Sequence, residues 1–208
     1  MRWGDSRALY TLFVLLVAGA RLGELRIARR HQEQLLARGA VEIGAGHYPW
    51  MVLLHGAWLA GCLLEVWLLG RPFLPVLGCI ALAVFLGAMA LRYWVIRTLG
   101  ERWTTRILVL PGAPPVEAGP YRFTRHPNYL AVILEIAALP LVHTAWLTAF
   151  VMSFANAVVL RERIRTEERA LAERSTYGEV FADRPRFLPQ PGRPARRPEM
   201  NPGPRAGD

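Results

Sequence analysis

Residues 119–134 read GPYRFTRHPNYLAVIL, setting a turn, a basic cluster and the start of an apolar helix side by side. Gly119-Pro120 is turn chemistry, and Pro127 suits the first turn of a helix, where the N–H that proline lacks would have no intrahelical acceptor. A helix is therefore predicted to begin near His126. Arg122, Arg125 and His126 then sit at the positive end of its dipole, on the edge of an apolar segment. That arrangement suits an anionic group or polar cofactor, and equally a basic loop bordering a membrane helix.

The composition favours a membrane. The 208 residues are 53% hydrophobic and make one domain by length, with positive mean hydropathy. All 25 basic residues are Arg, and the formal net charge is +9. These Arg residues flank apolar segments rather than forming one stripe with interleaved aromatics, so no nucleic acid is expected, and no protein partner is inferred. Cys62 and Cys79 lie inside apolar runs, and no Cys/His cluster has metal spacing. Neither a disulfide nor a metal site is expected.

Upstream, Ala8 to Ala20 is a charge-free run continued to Ile27, interrupted by Arg21 and Glu24, which share a helical face and can pair. The run reads as a first span. Arg2, Arg7 and Ala18-Gly19-Ala20 also fit a signal peptide, but the Arg residues after it favour retention. Arg26 to Pro49 reads as a polar cytoplasmic loop broken by Gly39, Gly44 and Gly46. Trp50 to Leu69 is a second span carrying His55 and Glu65, ionisable groups that face either a functional cavity or a neighbouring helix. After the Gly70-Arg71-Pro72 turn, Phe73 to Leu91 is a third span that can run on to Leu99. Glu101 to Ala118 is too proline-rich to be helical throughout.

Downstream, Asn128 to Leu139 and Leu141 to Leu160 form an apolar hairpin kinked at Pro140, with Arg-rich flanks that the positive-inside rule places on one side. The expectation is an all-α polytopic integral membrane protein with five transmembrane helices, N-terminus outside and C-terminus in the cytoplasm. From Arg161 a charged helix leaves the membrane, with Arg163 and Glu167 on one face. Tyr177-Gly178 ends it, Arg186 to Pro189 makes a last contact with the body, and Pro191 to Asp208 reads as disordered tail. No GxSxG, P-loop or HExxH motif is present.

GPYRFTRHPNYL, followed after the hairpin by RIRTEERAL (163–171) and RPRFLP (184–189), resembles the isoprenylcysteine carboxyl methyltransferase family of integral membrane enzymes. The resemblance covers Trp103 to Pro189. It divides the chain into N-terminal spans (1–102), a methyltransferase core with a C-terminal helical hairpin (103–189) and a tail (190–208). It implies S-adenosylmethionine in a cytoplasm-facing pocket and a lipophilic acceptor arriving from the bilayer. Val116, Tyr121, His126, Pro127, Asn128 and Tyr129 would line the cofactor pocket. Glu167 would hold the cofactor's ammonium, and Arg163 would face the acceptor's anionic oxygen.

Two positions depart from the family pattern: Ala131, where Gly is common, and Phe181, where Tyr is usual. Residues 29–55, RRHQEQLLARGAVEIGAGHYPWMVLLH, look more like the bacterial branch associated with type III polyketide synthases. The implied function is O-methylation of a long-chain alkylpyrone or alkylresorcinol at a bacterial inner membrane, with carboxyl methylation of a prenylated cysteine as the alternative. A resorcinol hydroxyl would need a base, for which Glu135 and His55 are the buried candidates. From another class, a non-enzymatic transporter subunit or scaffold would use Glu65, Glu135 and His55 for packing or ion passage.

Overall fold

The computed structural model describes residues 3–188; Arg2, Pro189 and the expected tail lie outside the described residues. In chain order the elements are α1 (Trp3–Ala37), β1 (Val41–Ile43), α2 (Tyr48–Leu68), α3 (Pro75–Leu99), β2 (Ile107–Val109), α4 (Pro127–Leu141), α5 (Trp146–Arg174) and α6 (Tyr177–Val180). Among the described residues three helices are long and apolar enough to cross a membrane, Asp5–Ala37, Tyr48–Leu68 and Pro75–Arg102, and α4 is a shorter apolar helix.

Two expectations are corrected. Arg26 to Ala37 is helix, not loop, because RIARRHQEQLLA contains strong helix formers and no Gly or Pro; the chain leaves the helix only at Gly39, φ 86°. The fold is also not purely helical. β1 pairs antiparallel with β2 in the register Val41↔Val109, Glu42↔Leu108, Ile43↔Ile107. Arg106 secures this pairing, reaching Glu42 at 2.5 Å and lying 4.2 Å over the Tyr48 ring.

The main core joins Tyr10, Val14 and Val17 of α1, Trp58, Cys62 and Val66 of α2, Phe85 of α3, and Ile136 and Leu139 of α4. Pro140 shows how this packing repairs a local defect. Without an N–H it cannot bond the Ile136 carbonyl one turn earlier, and the Trp58 indole N–H donates to that oxygen instead, at 3.1 Å. Tyr10 OH donates to the Leu139 carbonyl beside it, at 3.1 Å. The reversal falls at residues 142–145 rather than at Pro140 itself. Gly78 permits α3 to lie against this reversal, since a Cβ there would meet the Phe73 ring at 2.6 Å and the Val142 carbonyl at 2.9 Å.

The charges buried in α1 to α4 are paired. Arg21 bonds Glu24 at 2.6 Å, as its spacing on α1 requires, and also reaches Glu135 of α4 at 3.0 Å. Arg92 of α3 donates through Nε to Glu135 at 2.9 Å and lies 3.8 Å from Glu24. This cluster ties α1, α3 and α4 together. Glu65 of α2 caps α5, accepting from the Leu147 and Thr148 N–H groups at 3.0 and 2.6 Å, with Arg71 at 2.7 Å balancing its charge.

α5 carries an apolar first half and a charged second half in one uninterrupted helix. Trp146, Phe150, Phe154 and Val158 are exposed along the first half.

Candidate functional site

Pro127 opens α4 with His126 as its N-cap. The C-terminal segment returns against this end: the Arg125 and His126 N–H groups donate to the Pro185 and Arg186 carbonyls at 2.9 and 3.1 Å. Arg125 is committed to the same junction, donating to the Arg184 and Ala182 carbonyls. His126 Nε2 lies 3.0 Å from Glu168, which also receives Arg186 at 3.1 and 2.7 Å. Burial works against the Glu168 charge, but the bonds from His126 and Arg186 prevail and hold its carboxyl down, at about 2. The basic cluster thus fastens the chain's end to α4, and Glu168 is the fastener.

Beyond the junction, α4 and α5 place Tyr129 between Arg163 and Glu167. Arg163 Nε donates to the Tyr129 hydroxyl at 2.9 Å, and that hydroxyl donates to Glu167. The Arg163–Glu167 pair expected from i,i+4 spacing is therefore bridged by a phenol. Arg163 is buried; its other nitrogens reach the Thr105 carbonyl at 2.8 Å and the Met51 sulfur at 2.9 Å. Among the described residues Glu167 forms no ion pair.

A cavity of about 100 Å³ is lined by Tyr121, His126, Asn128, Tyr129, Arg163, Glu167, Trp103 and Tyr177, among others. An adjoining one of about 160 Å³ shares Tyr121, Glu167 and Tyr177 and adds Val116. Burial first, then the Glu167 carboxylate, push the Tyr121 and Tyr177 phenols up, so both stay protonated donors at neutral pH. A larger cleft of about 730 Å³ lies between β1 and the polar face of α5, lined by Arg165, Arg169 and Glu173 among others. It contains none of the sequence-predicted site residues.

The model of the isoprenylcysteine carboxyl methyltransferase (ICMT) family matches residues 79–173, which run from α3 through Tyr129 to Arg163 and Glu167. An uncharacterized protein of Bacillus subtilis, YpbQ, is 38% identical over 168 residues, 80% of this chain and 99% of that protein. One from Haemophilus influenzae is 31% identical over 157 residues, 75% of this chain and 91% of its own. The chain belongs to the isoprenylcysteine carboxyl methyltransferase family. Methyltransferases of this family use S-adenosylmethionine. Membership and the apolar helices together make the chain an integral membrane protein with a methyltransferase fold.

Six of the eight sequence-predicted residues line the smaller cavity of this family member. Val116 lines only the adjoining one, and Pro127 is fully buried in the first turn of α4 without lining either. Of the two departures from the family pattern, Ala131 is fully buried, and the Phe181 ring lies tilted against Tyr177, centroids 4.8 Å apart, beneath Arg184.

Three groups went unread in the sequence: Trp103 and Tyr177, which line the cavity, and Glu168, which binds His126 and Arg186 beside it. Trp103 Nε1, Asn128 Oδ1 and Tyr177 Oη are buried there without a hydrogen-bond partner. Glu168 stood in plain view as the second acid of the Glu-Glu pair, and Tyr177 was read only as the residue ending a helix.

Proposed function

We propose that this chain transfers the methyl group of S-adenosylmethionine to an oxygen of a lipophilic acceptor, a long-chain alkylpyrone or alkylresorcinol. The observation that carries the reading is the donor and acceptor set of the cavity. A carboxylate without an ion pair, Glu167, stands beside an indole N–H, an amide oxygen and a phenol, all buried and unpartnered. Unsatisfied buried polar atoms cost free energy and call for a ligand with matching groups. S-adenosylmethionine offers an ammonium for Glu167 and amine, ribose and carboxylate groups for Asn128, Trp103 and Tyr177. When bound it supplies an electrophilic methyl group on a sulfonium.

The protein's part is to bind, orient and exclude water. Tyr129 holds Arg163 and Glu167 at a fixed separation, with His126 stacked on its ring at 5.3 Å. Arg163 spends one N–H on the Met51 sulfur, a weak acceptor, which an anionic acceptor oxygen would replace with gain. Val116 and Tyr121 extend the pocket toward the adjoining cavity, and Pro127 sets the direction of α4. Aligning the acceptor oxygen with the methyl group is the main catalytic demand.

Five crossings, with the N-terminus outside and the site at the cytoplasmic face of a bacterial inner membrane, accord with the Arg-rich end on which the site lies. They accord also with the exposed apolar stripe of α5. α4, about 22 Å long, would cross where the bilayer is thinned. Within this reading residues 103–189 form the catalytic core and residues 1–102 shape the acceptor's approach.

Carboxyl methylation of a prenylated cysteine is the second reading, favoured by the family match and by the ability of Arg163 to pair with a carboxylate. The test is transfer of a labelled methyl group by the purified chain in lipid nanodiscs to alkylpyrone, alkylresorcinol and prenylcysteine acceptors. Transfer to the first two supports the proposal. Transfer to prenylcysteine alone selects the second reading, and no binding of S-adenosylmethionine by calorimetry refutes both.

A further inference from the structure

A phenolic acceptor is neutral at pH 7 and must lose a proton as its oxygen attacks, so a methyltransferase acting on one needs a base near Arg163. Most titratable groups of the interior are committed elsewhere. Glu135 lies between Arg21 and Arg92, which removes one of the two base candidates read from the sequence. Glu24 is held by Arg21, and Glu65 caps α5. His126 is bound to Glu168, and His143 packs against Ser6.

His55 differs. It lies on α2 one turn beyond Met51, on the same face, and the Met51 sulfur touches Arg163 at 2.9 Å. His55 Nδ1 is 2.8 Å from the Met51 carbonyl, which can only accept, so Nδ1 carries a proton and the neutral form of the ring is the Nδ1–H tautomer. That leaves the lone pair on Nε2. Among the described residues Nε2 has no hydrogen-bond partner, and the side chain is only part-buried, so the atom is reachable. Trp58 fixes the ring edge-on at 6.2 Å. The charges acting on it from α1, α3 and α4 are Arg21, Arg92 and Glu135.

We propose that His55 is the general base for a neutral hydroxyl acceptor, one turn of α2 from Met51, whose sulfur touches the Arg163 guanidinium that orients the acceptor oxygen. This deepens the methyl-transfer reading and rests on it. The acceptor O–H bond breaks toward Nε2 and the new O–CH3 bond forms as the carbon–sulfur bond of the donor breaks. The positive charge leaves the sulfonium and reappears on the imidazolium, which releases its proton to water after product departs. An acceptor already ionised, such as a carboxylate, needs no such step.

The experiment compares wild type, His55→Asn and His55→Gln in nanodiscs, each with a long-chain alkylresorcinol and a prenylcysteine carboxylate. Asn keeps an N–H near the position of Nδ1–H and so preserves the bond to Met51, while lacking Nε2. The expected result is a roughly hundredfold lower kcat for the resorcinol at pH 7 with unchanged S-adenosylmethionine affinity, and a change within about threefold for the carboxylate. Resorcinol turnover by His55→Asn then rises about tenfold per pH unit toward the phenol's own pKa near 10. Equal loss with both acceptors, or no loss with the resorcinol, overturns the inference, as does a wild type that methylates only the carboxylate. A wild type that methylates neither overturns the methyl-transfer reading itself, and this inference with it.

Discussion

Glu135→Gln replaces a carboxylate with an amide of nearly the same shape, at a position 2% exposed and bonded by two guanidinium groups. In the native protein Arg21 and Arg92 are balanced by Glu24 and Glu135; in the variant the buried cluster carries one uncompensated positive charge. Breaking a buried pair by removing one partner typically costs about 3–5 kcal/mol, because the surviving charge stays desolvated. The low end applies here, since Glu24 remains 3.8 Å from Arg92 and can move toward it. About 3 kcal/mol is therefore expected in equilibrium unfolding from mixed micelles, followed by Trp fluorescence. The double variant Arg92→Met/Glu135→Met removes both charges and leaves Arg21 paired with Glu24 at 2.6 Å. It should lie within about 1 kcal/mol of wild type, giving a strongly favourable coupling in the double-mutant cycle. Methyl transfer per folded molecule should survive in the double variant. Additive losses in the cycle would refute the pairing argument, and a folded but inactive double variant would restore Glu135 to a chemical role.

Glu167→Gln should weaken S-adenosylmethionine binding by about 2 kcal/mol, roughly thirtyfold, read by calorimetry with the melting temperature nearly unchanged. The Glu168 carboxyl is lowered from 4.5 to about 2, so its contribution is fully present above pH 4.5 and is lost as pH falls toward 2. The linkage value of about 3 kcal/mol is cut to about 1–2 by solvent screening, and Glu168→Gln should remove that acid dependence from the stability profile. Gly119→Ala should destabilise by about 1–3 kcal/mol. Its φ is +56°, and a Cβ there falls 2.2 Å from Thr98 Oγ1. The additional variant Thr98→Ala should recover only the steric part, a split that paired unfolding curves would reveal.

The start of α4 was legible because Pro127 and the polar residues before it are local chemistry, and the Arg21–Glu24 pair was legible because i,i+3 spacing is fixed by the helix itself. What recruits Glu135 and Arg92 to that pair is the packing of three helices, which no local spacing encodes. The β1–β2 pairing joins two three-residue segments far apart in the chain, too short for a period-2 signal. Residues 26–37 were misread because polarity was taken for loop; helix propensity depends on side-chain shape, not on burial. Glu167 and Glu168 are adjacent, and the roughly 100° of rotation between neighbours on a helix sends the first to the cavity and the second to His126. The sequence motif contains both and cannot assign them. His55 and Met51 stood in the sequence as residues of a span, and only the contact of Met51 with Arg163 brings them to the site.

Two carboxylates hold the opposite ends of the α4–α5 hairpin, and they should fail differently. Glu65 binds the first N–H groups of α5 at 3.0 and 2.6 Å; Glu168 joins the far part of α5 to the start of α4 and to the returning chain end. Thr148 and Arg163 are fifteen residues apart along the helix, about 22 Å, with no Gly or Pro to bend it. Glu65→Gln keeps one acceptor oxygen but loses the charge that faces the helix dipole and Arg71, a loss of about 1–2 kcal/mol. Fraying confined to the first turn of α5 leaves the Tyr129–Arg163–Glu167 unit in place, so S-adenosylmethionine affinity should stay within twofold while the melting temperature falls. Glu168→Gln should do the reverse near pH 7, loosening His126 and the lining of the cavity and weakening cofactor binding more than it lowers stability. If Glu65→Gln weakens cofactor binding as much as Glu168→Gln does, α5 moves as one rigid lever, and the site is positioned from the opposite end of that helix rather than by its own fastening.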